Sequence, residues 1–187
     1  MKLLVGVSGS SGVAYGVRML EVLKTLKIET HLVISKWADE CIKIETDKKP
    51  SYVRSLAKYF YSNGDLAAKP SSGSFKIDGM VVIPCSMKTL ASIANGYEDT
   101  LMSRAASVML KESRKLVLVP RETPLTAIHL SNMLKLARMG TIILPATPGF
   151  YHKPRTVNEL LNHIVGKVLD QFGIEHEVFK RWAGIEL

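Results

Sequence analysis

Cysteine is scarce in this sequence. The chain has 187 residues and two cysteines, Cys41 and Cys85, and neither sits in a CxxC or CxxH spacing. That excludes a disulfide framework and a structural zinc site. Long apolar runs are also missing, and nothing approaches the ~20 residues needed to span a bilayer. The opening Lys2-Leu3-Leu4-Val5 begins like a signal peptide, but Gly6, Ser8 and Gly9 break it before an apolar core region forms. These absences favour a cytoplasmic protein with no membrane span. There is no aromatic-interleaved basic stripe either. The net charge of +8 comes from 25 scattered Lys and Arg, which fits an anionic small molecule better than nucleic acid.

What is present is ordinary globular material, 47% hydrophobic and 22% charged, in a length that suits one domain over 1–187. Lys2 to Val7 is a continuous apolar run, as in a buried parallel strand. A Gly/Ser loop, Ser8-Gly9-Ser10-Ser11-Gly12, leads to a helix with Val13, Val17 and Leu20 on one face. Further strands are expected at Glu29 to Ile34, Met80 to Ile83 (ended by Pro84), Lys115 to Val119 and Thr141 to Leu144. Helices are expected at Trp37 to Glu45, Ser51 to Tyr61, about 87–94, 99–113, Thr126 to Met139 and Thr156 to Phe172. Residues 62–79 read as the longest loop. Strands alternating with helices imply an α/β fold, a Rossmann-like (flavodoxin-like) three-layer domain with a mainly parallel sheet. Ligands of such sheets sit at the carboxyl ends of the strands, which directs attention to residues 8–12, 35–36, 84–89, 120–124 and 145–154.

The first of these loops leaves a strand and opens a helix, an arrangement suited to a phosphate. Gly9 and Gly12 permit close backbone approach, and Ser10 and Ser11 add hydroxyls. The spacing is not GxGxxG, and Ser35-Lys36 replaces the acidic residue that would hold a dinucleotide ribose. A mononucleotide is the better match. Pro84-Cys85-Ser86-Met87-Lys88-Thr89 is a second strand-to-helix loop with hydroxyls and amides for a ligand, and Cys85 reads as a small buried residue. Arg104 and Lys111 fall on one helix face, a pair of cations for a second phosphate. Arg121-Glu122-Thr123-Pro124 follows a strand. His129 and Asn132, three apart on a helix, read as caps or braces before they read as ligands.

Six blocks together resemble the UbiX-type flavin prenyltransferases. They are Gly9 to Gly12 with Tyr15-Gly16, Pro84 to Leu90, Arg104 to Glu112, Arg121 to Leu125, Ile128 to Leu134, and Phe150-Tyr151-His152 before Pro154. The resemblance runs nearly end to end in order and spacing. It implies transfer of a dimethylallyl group from dimethylallyl monophosphate to N5 and C6 of reduced FMN, without a metal. The product would serve a UbiD-type decarboxylase, and the protein would be a homo-oligomer, commonly a dodecamer built from trimers. By the same resemblance Gly9, Ser10, Ser11, Ser35, Ser86, Met87, Lys88, Thr89 and Arg121 hold FMN. Tyr151 and Lys167 hold the donor phosphate, helped by Arg104 and Lys111. Glu45 and Glu122 handle protons, with Ser11 near the flavin edge. Two departures stand out: Lys167 where the family often has arginine, which loses the bidentate fork, and Leu66 near a position where some members carry tryptophan. The FMN-dependent cysteine decarboxylases share the fold, but their Pro-x-Met-Asn stretch is replaced here by Pro145-Ala146-Thr147-Pro148-Gly149-Phe150. A flavin carrier without catalysis would need only the FMN set, not the two phosphate-binding sets.

Overall fold

The computed structural model describes residues 1–184. Strands β1 (Lys2–Val7), β2 (Glu29–Ile34), β3 (Tyr59–Ser62), β4 (Gly79–Cys85), β5 (Lys115–Pro120) and β6 (Ile142–Ile143) make one sheet. Its order is β3-β2-β1-β4-β5-β6, and every neighbouring pair is parallel. The helices are α1 (Val13–Thr25), α2 (Lys36–Glu45), α3 (Pro50–Ser55), α4 (Met87–Ala94), α5 (Leu101–Lys111), α6 (Ala127–Arg138) and α7 (Val157–Gln171). The central strands are apolar along their whole length because helices cover both faces. β1 and β5 are buried from their second residue on, and β4 throughout.

Side chains alternate between two cores. On one face Leu3, Val5, Val7, Val81 and Val117 pack with α1, α2 and α7. On the other Leu4, Met80, Val82 and Leu118 pack with α4, α5 and α6. The expected α/β class and parallel sheet are present.

Two local expectations fail. The stretch expected to be a helix over Ser51 to Tyr61 is a helix only at Pro50–Ser55, and Tyr59–Ser62 is a parallel edge strand against β2. The aromatic and apolar residues there have no period long enough to separate a short helix from a short strand. Nor does Pro84 end its strand. β4 continues through a cis Ile83–Pro84 bond to Cys85, which pairs with Pro120 beyond a register irregularity. Proline is tolerated at such a bulge even in a central strand.

Candidate functional site

The chain winds outward from β1 to one edge and from β4 to the other, so a crevice opens outside the carboxyl ends of these two strands. A cavity of about 250 Å³ lies there. Its wall includes Gly9, Ser35, Trp37, Asn63, Ser86 and Thr100. Lys88, Thr89, Ser92, Asp99, Met102 and Ser103 complete it.

Three helices begin at this cavity, each capped by a hydroxyl. Ser35 Oγ accepts from the Ala38 amide at 3.1 Å at the start of α2. Ser86 Oγ accepts from the Thr89 amide at 3.3 Å at the start of α4. Thr100 Oγ1 accepts from the Ser103 amide at 3.3 Å at the start of α5. The positive ends of three helix dipoles therefore converge on one small space, a setting that favours an anion.

The floor is held by a residue that the sequence did not single out. Buried Ser8 donates its hydroxyl to the Pro84 carbonyl at 2.9 Å and accepts from the Ser86 amide at 2.7 Å, joining the two central loops. Gly9 is required by α2. A β-carbon at position 9 would stand 2.3 Å from Trp37 Cβ, well inside contact distance. Gly12 has φ +98° and faces the Arg121 side chain, whose buried Nε has no hydrogen-bond partner among the described residues.

Glu45 lies at the end of α2, and its Oε2 accepts from the amides of Gly12 at 2.8 Å and Val13 at 3.2 Å. This carboxylate occupies the amino end of α1. Cys85 is buried, and burial pushes its thiol far above the ordinary range. It is an inert packing residue, as expected. His129 Nδ1 accepts from the Thr126 amide as the partner in a capping box, so its bracing role also holds.

The FMN and phosphate sets fall in different places. Gly9, Ser35, Ser86, Lys88 and Thr89 line the cavity. Ser10 and Ser11 continue the loop beside it, Met87 turns toward the second core, and Arg121 backs Gly12. Arg104 donates to Glu98 at 2.6 Å and to the Ser71 carbonyl at 3.0 Å. The Ser107 hydroxyl and the Arg104 guanidinium hold Glu98 below the usual carboxylate range. Lys111 pairs with Glu112. Arg104 and Lys111 share a face of α5, and both side chains reach the 71–73 segment, Arg104 Nε at the Ser71 carbonyl and Lys111 Nζ beside Gly73. Lys167 is 3.8 Å from Asp170 on α7. Tyr151 is 80% exposed and lies beside Trp182, with centroids 5.4 Å apart and planes tilted by 51°. Glu122 accepts from the Thr123 amide at 3.1 Å. One protomer thus puts Arg104 and Lys111 on the α5 face of the sheet and Lys167 on the α7 face.

The model for the Flavoprotein family matches residues 1–169. A probable UbiX-like flavin prenyltransferase from Bacillus subtilis is 57% identical over 186 residues, spanning 100% of this chain and 91% of that one. The chain belongs to the UbiX-like flavin prenyltransferases.

Solved structures agree with that assignment. A dodecameric FMN-dependent UbiX-like decarboxylase from Escherichia coli O157:H7 superposes with a TM-score of 0.97 at 54% identity, covering 98% of this chain and 100% of that chain. AnUbiX (PadA1), in complex with FMN and dimethylallyl pyrophosphate, does so with 0.97 at 51% identity, covering 99% and 98%. A peptidyl-cysteine decarboxylase at 19% identity and a TM-score of 0.59 shares the fold alone.

Nothing in the sequence pattern marks Trp37, Asn63, Asp99, Thr100 and Ser103 as cavity residues. Asn63 follows β3, which the sequence disguised as helix. The remaining four lie at helix starts, where the one available signal was the Thr100-x-x-Ser103 spacing of a cap.

Proposed function

We propose that the protein is a cytoplasmic, metal-independent enzyme that joins a dimethylallyl group from an allylic phosphate to reduced FMN and passes the product to a UbiD-type decarboxylase. The observation that carries this reading is the cavity at the β1–β4 crevice, with three capped helix starts and no acidic residue at the end of β2. That chemistry suits the phosphate arm of a mononucleotide. Gly9, Ser10, Ser11, Ser35, Ser86, Met87, Lys88, Thr89 and Arg121 would hold it, and the unpartnered Arg121 Nε is a donor in reserve for a ligand oxygen. At about 250 Å³ the cavity is below the roughly 300–1,000 Å³ of ordinary ligand sites. The flavin ring would therefore extend past its rim.

When bound, reduced FMN supplies the electron-rich N5 and C6 atoms that receive the allyl carbons. The chain's residues do the rest. As the allyl C–O bond breaks, charge grows on the departing phosphate, and Tyr151, Lys167, Arg104 and Lys111 would stabilise it. Glu45 and Glu122, with Ser11, would take the protons released from the acceptor.

These phosphate groups lie on opposite sides of the sheet in one protomer, so one donor can meet both sets only where two copies adjoin. α6 supports such an assembly. Ile128, Leu130 and Leu134 lie exposed along it, with Leu125 and Met139 at its ends. A homo-oligomer, a dodecamer in full, would bury this face.

The test is to reduce FMN anaerobically with the purified protein, supply dimethylallyl monophosphate or pyrophosphate with and without a chelator, and weigh the released flavin. A flavin heavier by one prenyl unit, unaffected by the chelator, supports the proposal. Bound but unmodified FMN with either donor would reduce the protein to a carrier.

A further inference from the structure

The loop that carries Tyr151 is tied to α7 by a histidine. The Gly149 amide donates to His163 Nδ1 at 3.2 Å. An amide can only donate, so Nδ1 must carry its lone pair and the ring must be neutral. His163 also stacks on His152 from the same loop, with centroids 5.7 Å apart and planes 13° from parallel, and it meets the edge of Phe179 at 5.1 Å. The base of this tie is firm, because the adjacent Asn162 accepts from Arg18 Nε of α1 at 2.7 Å. Tyr151, two residues beyond Gly149, has no side-chain contact of similar strength. It is largely exposed and leans on Trp182.

We infer that His163 is the positioning residue for Tyr151: its unprotonated Nδ1 pins the Gly149–Tyr151 turn to α7, and a second proton on the ring unpins it. The inference rests on the reading of Tyr151 as a contact of the donor phosphate. Protonation removes the acceptor for Gly149, and where His152 is also charged the stack becomes a like-charge pair. The nearest ionisable groups are His152 on the loop and Lys167 one turn along α7. The cavity beside His152 and Phe179 adds Lys153, Arg155 and Lys180, against Glu159 and Glu177. Arg181 on the tail is paired with Asp170. Burial first, then His152 and Lys167, hold His163 below the usual histidine value. The tie is therefore closed near neutral pH and opens in mild acid.

The experiment compares wild type, His163→Asn, His163→Leu and Tyr151→Ala. Asparagine can offer an acceptor near the Nδ1 position without titrating, and leucine has none. Hydrogen exchange followed by mass spectrometry reads the Gly149 amide with no substrate present. Steady-state kinetics read KM and kcat for dimethylallyl monophosphate between about pH 5.5 and 7.5, the range of histidine titration. His163→Leu should lose protection at Gly149 and raise KM by about tenfold, the worth of one such hydrogen bond, with a smaller change in kcat. His163→Asn should restore both. The donor phosphate titrates in the same range, so the readout is the part of the acid rise in KM that wild type shows and His163→Asn does not. Protection unchanged in His163→Leu overturns the tie, as do identical pH profiles for wild type and His163→Asn. Lost protection with KM unmoved in both His163→Leu and Tyr151→Ala instead removes the donor role of Tyr151 and, with it, the positioning role. KM raised by Tyr151→Ala but not by His163→Leu overturns the inference alone.

Discussion

Ser8 and Ser86 come from the ends of the two central strands, and the amide of half-buried Ser86 donates to the hydroxyl of buried Ser8 at 2.7 Å. Ser8→Ala leaves that amide without an acceptor. The Pro84 carbonyl keeps the Ser8 amide as its partner at 3.2 Å, so one group is orphaned and not two. The expected loss is about 1–3 kcal/mol, a Tm drop of roughly 2–12 °C for a protein of this size. FMN affinity should fall as well, because Ser86 caps α4 at the cavity. Thermal melts and fluorescence titration with FMN measure the two effects.

Gly9→Ala should damage binding more than stability. The added carbon collides with Trp37 Cβ at 2.3 Å and lies 3.0 Å from the Trp37 carbonyl carbon, so the start of α2 must move and take the Ser35 cap with it. FMN affinity should drop by at least about tenfold, the equivalent of losing one well-placed interaction. A titration curve matching wild type would show that the loop yields instead.

Glu45 allows capping and proton transfer to be separated. It accepts from Gly12 and Val13, so Glu45→Ala should cost about 1 kcal/mol as a lost helix cap. Glu45→Gln keeps an acceptor and should keep most of the stability. If Glu45 takes a proton from the acceptor, kcat in Glu45→Gln falls by about 10²–10⁴-fold. Unchanged turnover in that variant would restrict Glu45 to capping α1.

His31 gives stability a pH dependence. The ring is buried on β2, bonded to Tyr61 at 2.9 Å and Glu29 at 3.3 Å, and stacked on Tyr59. Burial outweighs the neighbouring Glu29 and holds it below the usual histidine value. The unfolded ring therefore binds its proton at a higher pH than the folded one. Stability from this source is complete above about pH 6.5 and declines as pH falls toward the folded value. Urea midpoints from about pH 7.5 to 5 should fall, and His31→Phe should flatten part of that slope. His163, held low in the same way, supplies another part.

Cys85 should resist thiol reagents in the native protein, since it is fully buried and its thiol is pushed up by that burial. Labelling with a chromogenic disulfide should report at most the half-buried Cys41 before unfolding and both thiols after it.

The sequence by itself determined the fold class and most of the elements. Continuous apolar runs such as Leu3 to Val7 and Leu116 to Val119 are possible only in strands covered on both faces, and their alternation with amphipathic helices leaves little choice but a parallel sheet. It also identified the loops at the strand ends, because ligand position in such sheets follows from topology. The tertiary structure alone decided the remainder. Tyr59 to Ser62 is a strand because β2 offered an unpaired edge, and no local period announces that. Thr100 and Trp37 line the cavity through the direction in which α5 and α2 approach it, and Ser8 matters through a partner 78 residues away. The family resemblance placed Arg104, Lys111, Tyr151 and Lys167 in one phosphate-binding task. Only the folded chain separates Arg104 and Lys111 from Lys167 across the sheet, since α5 and α7 pack on opposite faces and no side chain reaches through a close-packed core.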